Sequence, residues 1–296
     1  LNEYIVAVVT GIIMGTAARL YMLRSDYRQF PGYPHGYVTH LGLGVIAAAL
    51  GAVAVPALLE KEFTAVTFLA LAAQQFRDIR NMERESLSEL EELALVPRGK
   101  DYIEGIARVF ESRNYLVMFT SLVASLVTFY SGWIYGVLAA VLIIYANTYL
   151  MKGKVVGDIA EIIPCKPHFE GALLMVDNIV IMNVGLTESR RKILKEGLGV
   201  IIKPKDDNGR ATLNSVGQRQ AILQVAASLL GSKKEVGEVE WTPLARKDID
   251  TGKIGLFILP LEPDIKPLIK AIKMTPVLES SKVKPLMSGP GRQAAD

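Results

Sequence analysis

The sequence predicts an α-helical polytopic membrane domain of about five transmembrane helices, followed by a small cytoplasmic α/β domain. Three observations predict it: five apolar stretches fall within residues 1–151, residues 152–296 contain none, and basic residues gather beside alternate connections between the stretches. Half of the residues are hydrophobic, the mean hydropathy is +0.29 and the net charge is only +3. That balance fits residence in a lipid bilayer and argues against a nucleic-acid binder, which would carry a strong basic excess. A single cysteine, Cys165, excludes an intramolecular disulfide framework and fits a reducing cytoplasm.

Residues 4–23, 37–59 and 133–151 are each long enough, as helices, to cross roughly 30 Å of hydrocarbon. Residues 115–130 are a shorter but almost wholly apolar candidate, divided from the last by Ser131 and Gly132 as a tight helical hairpin requires. Residues 63–76, ending at Gln74 and Gln75, are by length either a crossing or a re-entrant segment. Charge decides for a crossing. Arg19, Arg24 and Arg28 flank the first connection, and Arg77, Arg80, Arg84, Arg98, Lys100, Arg108 and Arg113 follow residue 76. Lys152 and Lys154 follow the last stretch, whereas the second connection holds only Glu60, Lys61 and Glu62. Crossing at all five places puts every basic cluster in the cytoplasm, in a multi-pass cell-membrane protein with its N-terminus outside. Tyr4, Tyr37, Tyr115, Tyr130, Trp133, Tyr135 and Tyr149 near the ends of the stretches read as interfacial anchors. The positive charges follow the first stretch instead of preceding it, so that stretch reads as an anchor, not a cleaved signal.

Small residues give the spans faces on which another helix can approach closely. Gly11 and Gly15 have GxxxG spacing, and Gly44, Ala47, Ala48, Gly51 and Ala52 line the second stretch. Packing within the chain or against a neighbouring subunit would use them equally. The polar residues inside the spans are Arg19, His40, Gln74, Gln75 and Asn147. Ionisable groups in a membrane are functional candidates by default, but Arg19 and His40 each lie within about a turn of the cytoplasmic face and can snorkel. The set reads as a cluster at the cytoplasmic mouth. A line of carboxylates through the centre, as proton-coupled transport would require, is lacking.

Beyond residue 76 the third helix continues, with Ile79, Met82, Leu87, Leu90 and Leu93 at near-helical spacing and Glu85, Glu89, Glu91 and Glu92 between them. Pro97 and Gly99 break it. Asp101 and Glu104 then have the spacing of a capping box, predicting a separate elbow helix over residues 101–113 that lies in the membrane interface. Within it runs Tyr102-Ile103-Glu104-Gly105-Ile106-Ala107. This string is the name-giving motif of the YIEGIA family, and the chain resembles a full-length member: several spans, the motif, then a compact domain. The resemblance implies a membrane assembly in an endospore-forming bacterium, with a small partner protein of a capping complex, and assigns no catalytic residues. A glycine within a helix costs about 1 kcal/mol relative to alanine, so a close backbone contact is the expected use of Gly105.

The C-terminal domain, residues 152–275, alternates predicted strands (177–184, 198–202, 254–259) with predicted helices (187–196 capped by Thr187, 215–230 ending at Gly231, 264–273). Residues 276–296, rich in Ser, Pro and Gly, are expected to be a flexible tail. Chemistry-bearing patterns are weak. Val184 and Gly185 precede a helix but lack the glycines of a phosphate loop. Cys165 and His168 lack the further ligands of a zinc site, and Asp206-Asp207-Asn208-Gly209 reads as a turn, not a calcium loop. No cofactor or metal is expected, and no catalytic residue is assigned. The leading expectation is an integral membrane subunit of a multi-protein assembly, a homo- or hetero-oligomer with a cytoplasmic docking domain. The alternatives are a channel or small-solute transporter, and a membrane-tethered enzyme.

Overall fold

The computed structural model describes residues 4–26, 34–91, 94–150, 153–233 and 241–282. The expectations resting on Arg28, Glu92, Leu93, Met151, Lys152 and the tail beyond residue 282 lie outside these. The chain divides into two compact units: residues 1–86 with 106–152, and residues 87–105 with 153–296.

The first unit is built from α1 (Ile5–Asp26), α2 (Pro34–Leu59), α3 (Phe63–Glu89) as far as residue 86, α4 (Lys100–Ser131) from residue 106, and α5 (Trp133–Leu150). Among the described residues, three helices are long and apolar enough to cross a membrane, over Ile5–Arg24, Tyr37–Leu59 and Lys100–Ser131; Trp133–Tyr149 is apolar but shorter. Residues 63–76 are helical, as expected, but α3 is not among those three, because its apolar run gives way to charge at Arg77, Asp78 and Arg80. The interfacial elbow does not form a separate helix. Residues 101–113 and 115–130 belong to the single helix α4, since neither Pro nor Gly lies between Arg113 and Tyr115 to break it. That helix begins at Lys100, directly after Gly99 with its φ of +87°, so Asp101 lies in the first turn and not at the cap.

The second unit is antiparallel throughout its sheets, so the βαβ arrangement expected of an α/β domain is replaced by an α+β one. A four-stranded sheet has the order β1 (Ala160–Cys165), β5 (Leu198–Pro204), β7 (Ile254–Ile258), β6 (Leu244–Lys247). A three-stranded sheet has the order β2 (His168–Glu170), β3 (Leu173–Val176), β4 (Ile179–Asn183). The helices are α6 (Val156–Ile159), α7 (Thr187–Glu196), α8 (Asp207–Asn214), α9 (Val216–Leu230) and α10 (Ile265–Met274). Side chains alternate across a strand, and β5 and β7 use both faces. Val200, Ile202, Ile254, Leu256 and Ile258 join Leu213, Ile222, Ala226, Leu268 and Ile272 in a core on the helix side. Ile201 and Phe257 turn the other way, into a core with Leu174, Val176, Ile179 and Ile181 of the second sheet. Gly255 lets that sheet come close: a Cβ there would stand 3.2 Å from the Ile179 Cβ.

Most element ends follow local chemistry. Ser215 caps α9 by accepting from the Gln218 N–H, Gly231 ends it with φ of +66°, and Asp264 caps α10 by accepting from the Lys266 N–H. Three local expectations are corrected. Leu186, not Thr187, occupies the cap position of α7, and Asp206 caps a helix, α8, where a turn was expected. Asp177 has φ of +55° and forms the tight β3–β4 connection, so residues 177–178 are the turn before the strand and not its start.

The predicted tail is folded over its first residues. Val277, Leu278 and Ser281 are buried, and Val277 donates to the Lys154 carbonyl at 2.9 Å. Gln218, fully buried on α9, organises this segment: its amide donates to the Pro276 carbonyl at 3.0 Å, and its oxygen accepts from the Leu278 N–H at 2.8 Å and the Ser281 hydroxyl at 3.1 Å. Replacing it with an apolar isostere leaves buried groups unpaired, at about 1–3 kcal/mol each. Gln218→Leu is therefore expected to lower stability by about 3 kcal/mol. Hydrogen exchange on the full chain checks this: residues 275–282 should lose protection before β5 and β7 do.

Candidate functional site

Helix α4 carries both candidate regions. At its start the motif is half committed to the fold: Tyr102, Ile103, Ile106 and Ala107 are buried, whereas Glu104 and Gly105 are half-exposed. A Cβ on Gly105 would meet nothing within 4 Å, so the close backbone contact expected there is not made. What holds the start of the helix lies in the second unit. The Glu91 carboxylate accepts from the Arg98 and Gly99 N–H groups and pairs with the Arg98 guanidinium at 3.5 Å. Gln220 of α9 donates to the Pro97 carbonyl at 2.6 Å, and Gly217, three residues earlier on the same face, leaves room for Asp101. Sequence reasoning passed over Gly217 and Gln220; a glycine in the first turn of an otherwise good helix was the available signal.

In the first unit, Arg19 and His40 are brought together, both buried. Arg19 Nε donates to the His40 carbonyl at 3.3 Å, and Arg19 Nη2 lies 3.5 Å from His40 Nδ1. A guanidinium has only donors, so Nδ1 accepts and the imidazole proton sits on Nε2, which faces Glu83 Oε1 at 3.9 Å. Phe110 of α4 completes the cluster, with its ring edge-on to His40 at 4.6 Å and beneath the Arg19 guanidinium at 5.3 Å. Burial raises the Glu83 carboxyl from its ordinary value, and the charge of Arg19 opposes that shift. Arg80 and Glu111 form a further α3–α4 pair at 3.1 Å. The two glutamines do not take part: Gln74 and Gln75 are exposed on α3. Asn147 is buried on α5, and its Nδ2 has no hydrogen-bond partner among the described residues; the same holds for both amide atoms of Asn114, which sequence reasoning missed.

Small residues close the bundle around this cluster. A Cβ on Gly11 would stand 2.9 Å from the Ala52 Cβ and 3.0 Å from the Ser125 Cβ; one on Gly15 would stand 2.7 Å from the Ala48 Cβ and 2.9 Å from the Ser121 Cβ. Gly51 lies against the backbone of Met118. The Ser121 and Ser125 hydroxyls donate across to the Ala48 and Ala52 carbonyls at 2.6 and 3.2 Å. Thus α1, α2 and α4 use their small faces on one another. Gly44 differs from these in making room for the Arg19 side chain to cross α2.

The chemistry-bearing patterns of the second unit are occupied by the fold itself. After Val184 and Gly185 the turn presents carbonyls and not amides: Arg190 donates to Val184, Gly185 and Gly171 at 2.7, 3.1 and 3.1 Å, the reverse of a phosphate cradle. Among the described residues, no three of His, Cys, Asp and Glu gather as metal ligands around Cys165 and His168 or elsewhere.

A family model described as YIEGIA protein matches residues 7–288. The chain is 48% identical over 282 residues to "Uncharacterized protein YphB" of Bacillus subtilis (strain 168), with 95% of each covered. No solved structure matches.

The role of Gly44 is checked against a neighbour. Gly42 faces open space, so Gly42→Ala is expected to be neutral or stabilising by up to about 1 kcal/mol through helix propensity. Gly44→Ala, by displacing Arg19 from its partners, is expected to cost about 1–3 kcal/mol as overpacking does. Thermal melting of the two detergent-solubilised variants, run side by side, compares them; equal melting temperatures would contradict the assignment.

Proposed function

The chain belongs to the YIEGIA family, and on that premise we propose that it is an integral membrane subunit of a multi-protein assembly, sporulation-associated, with a cytoplasmic docking domain and no catalysis of its own. In this reading α1–α5 are five crossings, with the N-terminus outside and the second unit in the cytoplasm, as the distribution of Arg and Lys favours. Two of the five, α3 and α5, are less apolar or shorter than a lone span requires, and they are carried by the bundle they complete: Phe76 and Ile144 share one apolar cluster with Ala18, Ala47, Ala48 and Val117.

The observation that carries the docking role is the divided use of the motif. Its apolar side is buried within the fold, while Gly105 offers bare helix backbone with no neighbour and Glu104 stands half-exposed beside it. A helical glycine costs stability, and here no internal contact offsets the loss. A partner that approaches the backbone at Gly105 accounts for it, and a small protein is the size of partner that such a short patch fits.

Native mass spectrometry of the complex extracted gently from its source membranes tests this, with a fixed ratio to a second protein as the expected result. Gly105→Arg is expected to leave the melting temperature unchanged or raised, because the added side chain enters open space, yet to abolish co-extraction of the partner. A homo-oligomer alone in the native extract would sink the proposal. Orientation is checked through the only thiol, Cys165: a membrane-impermeant maleimide should label it only after the cells are opened.

One observation favours a second reading, a channel or small-solute transporter. Both amide atoms of Asn114 and the Asn147 Nδ2 are buried with no hydrogen-bond partner among the described residues, where ordered water or a solute would satisfy them. Reconstituted vesicles should then pass a solute at a rate that Asn114→Leu abolishes; no flux from the intact assembly removes this reading.

A further inference from the structure

Helix α10 packs one stripe into the core and leaves another to solvent. Leu268, Ala271 and Ile272 are buried, whereas Lys266, Pro267, Lys270, Lys273 and Met274 are exposed. The exposed positions recur at the spacing of one helix face, so three ammonium groups line up along it. Among the described residues, no carboxylate pairs with Lys266, Lys270 or Lys273. The nearest acidic group in sequence, Asp264, is turned to the helix backbone as its cap.

Chain connection then limits where this face can be. Thr275 accepts from the Val156 N–H at 2.8 Å, Val277 donates to the Lys154 carbonyl at 2.9 Å, and Val155 bridges to Pro276. These bonds clamp the C-terminal end of α10 to residues 154–156. The Lys273 side chain also packs where a Gly157 Cβ would stand, 3.3 Å away. Residue 154 follows the end of α5 at Leu150 by only four residues, a span of at most about 14 Å of chain. If α5 leaves the bilayer at Leu150, the Lys273 end of the basic face is held on a short leash to the lipid headgroups. Three lysines with no carboxylate partner among the described residues, on a helix tethered at one end, match the anionic surface of an inner leaflet, whose field decays over about 8–10 Å. Their aliphatic stems and Met274 suit the headgroup boundary, where lysines extend along apolar surface and keep the charge in water.

We infer that Lys266, Lys270 and Lys273 of α10 form a docking face for anionic phospholipid headgroups, laying this helix of the cytoplasmic domain against the membrane in which the same chain is anchored. The inference rests on the membrane-anchored reading above.

The test uses the full chain reconstituted in nanodiscs of phosphatidylcholine alone or mixed with phosphatidylglycerol, with a water-soluble amine-acylating reagent read at each lysine by peptide mass spectrometry. The expected result is labelling of Lys266, Lys270 and Lys273 slowed by about threefold or more in the anionic discs at low salt, the difference vanishing at high salt as screening requires. Lys195, exposed on α7, serves as the control and should label equally in both. Equal labelling of the three lysines in both lipids overturns the inference, and so does protection that appears only when an acidic partner protein is added. Release of the chain from membranes by alkaline carbonate would sink the anchored reading itself, which separates the two failures. A triple Lys266→Gln, Lys270→Gln, Lys273→Gln chain should still insert, and its α10 should exchange backbone hydrogens equally fast in both lipids.

Discussion

A charged group carried into an apolar helix bundle has to be matched where it lies, and Arg19 sets that requirement for the first unit. It is fully buried, and hydrocarbon offers a guanidinium no acceptors. Its surroundings answer one demand after another. Gly44 removes the side chain that would block its path across α2, the His40 carbonyl and ring nitrogen accept from it, Phe110 offers a ring face, and Glu83 supplies the opposite charge through His40. These partners come from α2, α3 and α4. One arginine on α1 therefore fixes the rotation of three other helices, which apolar packing alone would specify only loosely.

The same logic explains what could be read from the sequence and what could not. Arg19 and His40 stood out because charge and imidazole are rare in apolar stretches, and the two meet. Glu83 and Asn114 did not, since Glu83 lies in a run of ordinary surface charge and Asn114 follows Arg113 at what resembled the end of a helix. Gln74 and Gln75 were equally conspicuous, yet they turn outward, because periodicity places a residue on a face without saying which face the neighbours cover. Separating the elbow from the span failed for a related reason. The composition changes sharply near Arg113, but a helix needs a backbone cause to stop, and none is present.

In the second unit, β5, β7, α9 and α10 were legible because their signals are local: an apolar run, a serine cap, a terminal glycine, an aspartate cap. The short strand β2 carries no such run, β3 is an apolar run of only four residues, and β1 is interrupted by Pro164. Their pairing is decided by partners distant in sequence, as the Gly199–Cys165 register of β1 and β5 illustrates. Strand direction was invisible for the same reason. Alternating helices and strands point to parallel crossovers only when each strand returns to the same side, and here β3–β4 closes instead through Asp177 in a left-handed conformation. The first residues of the supposed tail were misjudged because their anchor, Gln218, lies 58 positions before Pro276.

How the polar inventory of the bundle is spent bears on the choice between anchor and conduit. A pathway needs polar groups that remain available to a passing solute. Here Ser121 and Ser125 are committed to carbonyls of α2, while Thr120 and Thr128 donate back to the carbonyls of Leu116 and Ala124 in their own helix. The Ser121 and Ser125 bonds lie along the stripe of α4 where α1 and α2 approach closely at Gly11, Gly15 and Gly51, so opening a passage there would break packing and hydrogen bonds together. Both amide atoms of Asn114 and the Asn147 Nδ2 retain capacity. Two amides can hold water in place, whereas conduction would require a continuous row of free donors and acceptors. The interior is thus organised to keep helices in register, and the surfaces left uncommitted, at Gly105 and along the lysines of α10, face outward from their helices. That distribution is what a scaffold for other molecules requires, and it is the reason the docking reading stands ahead of the transport one.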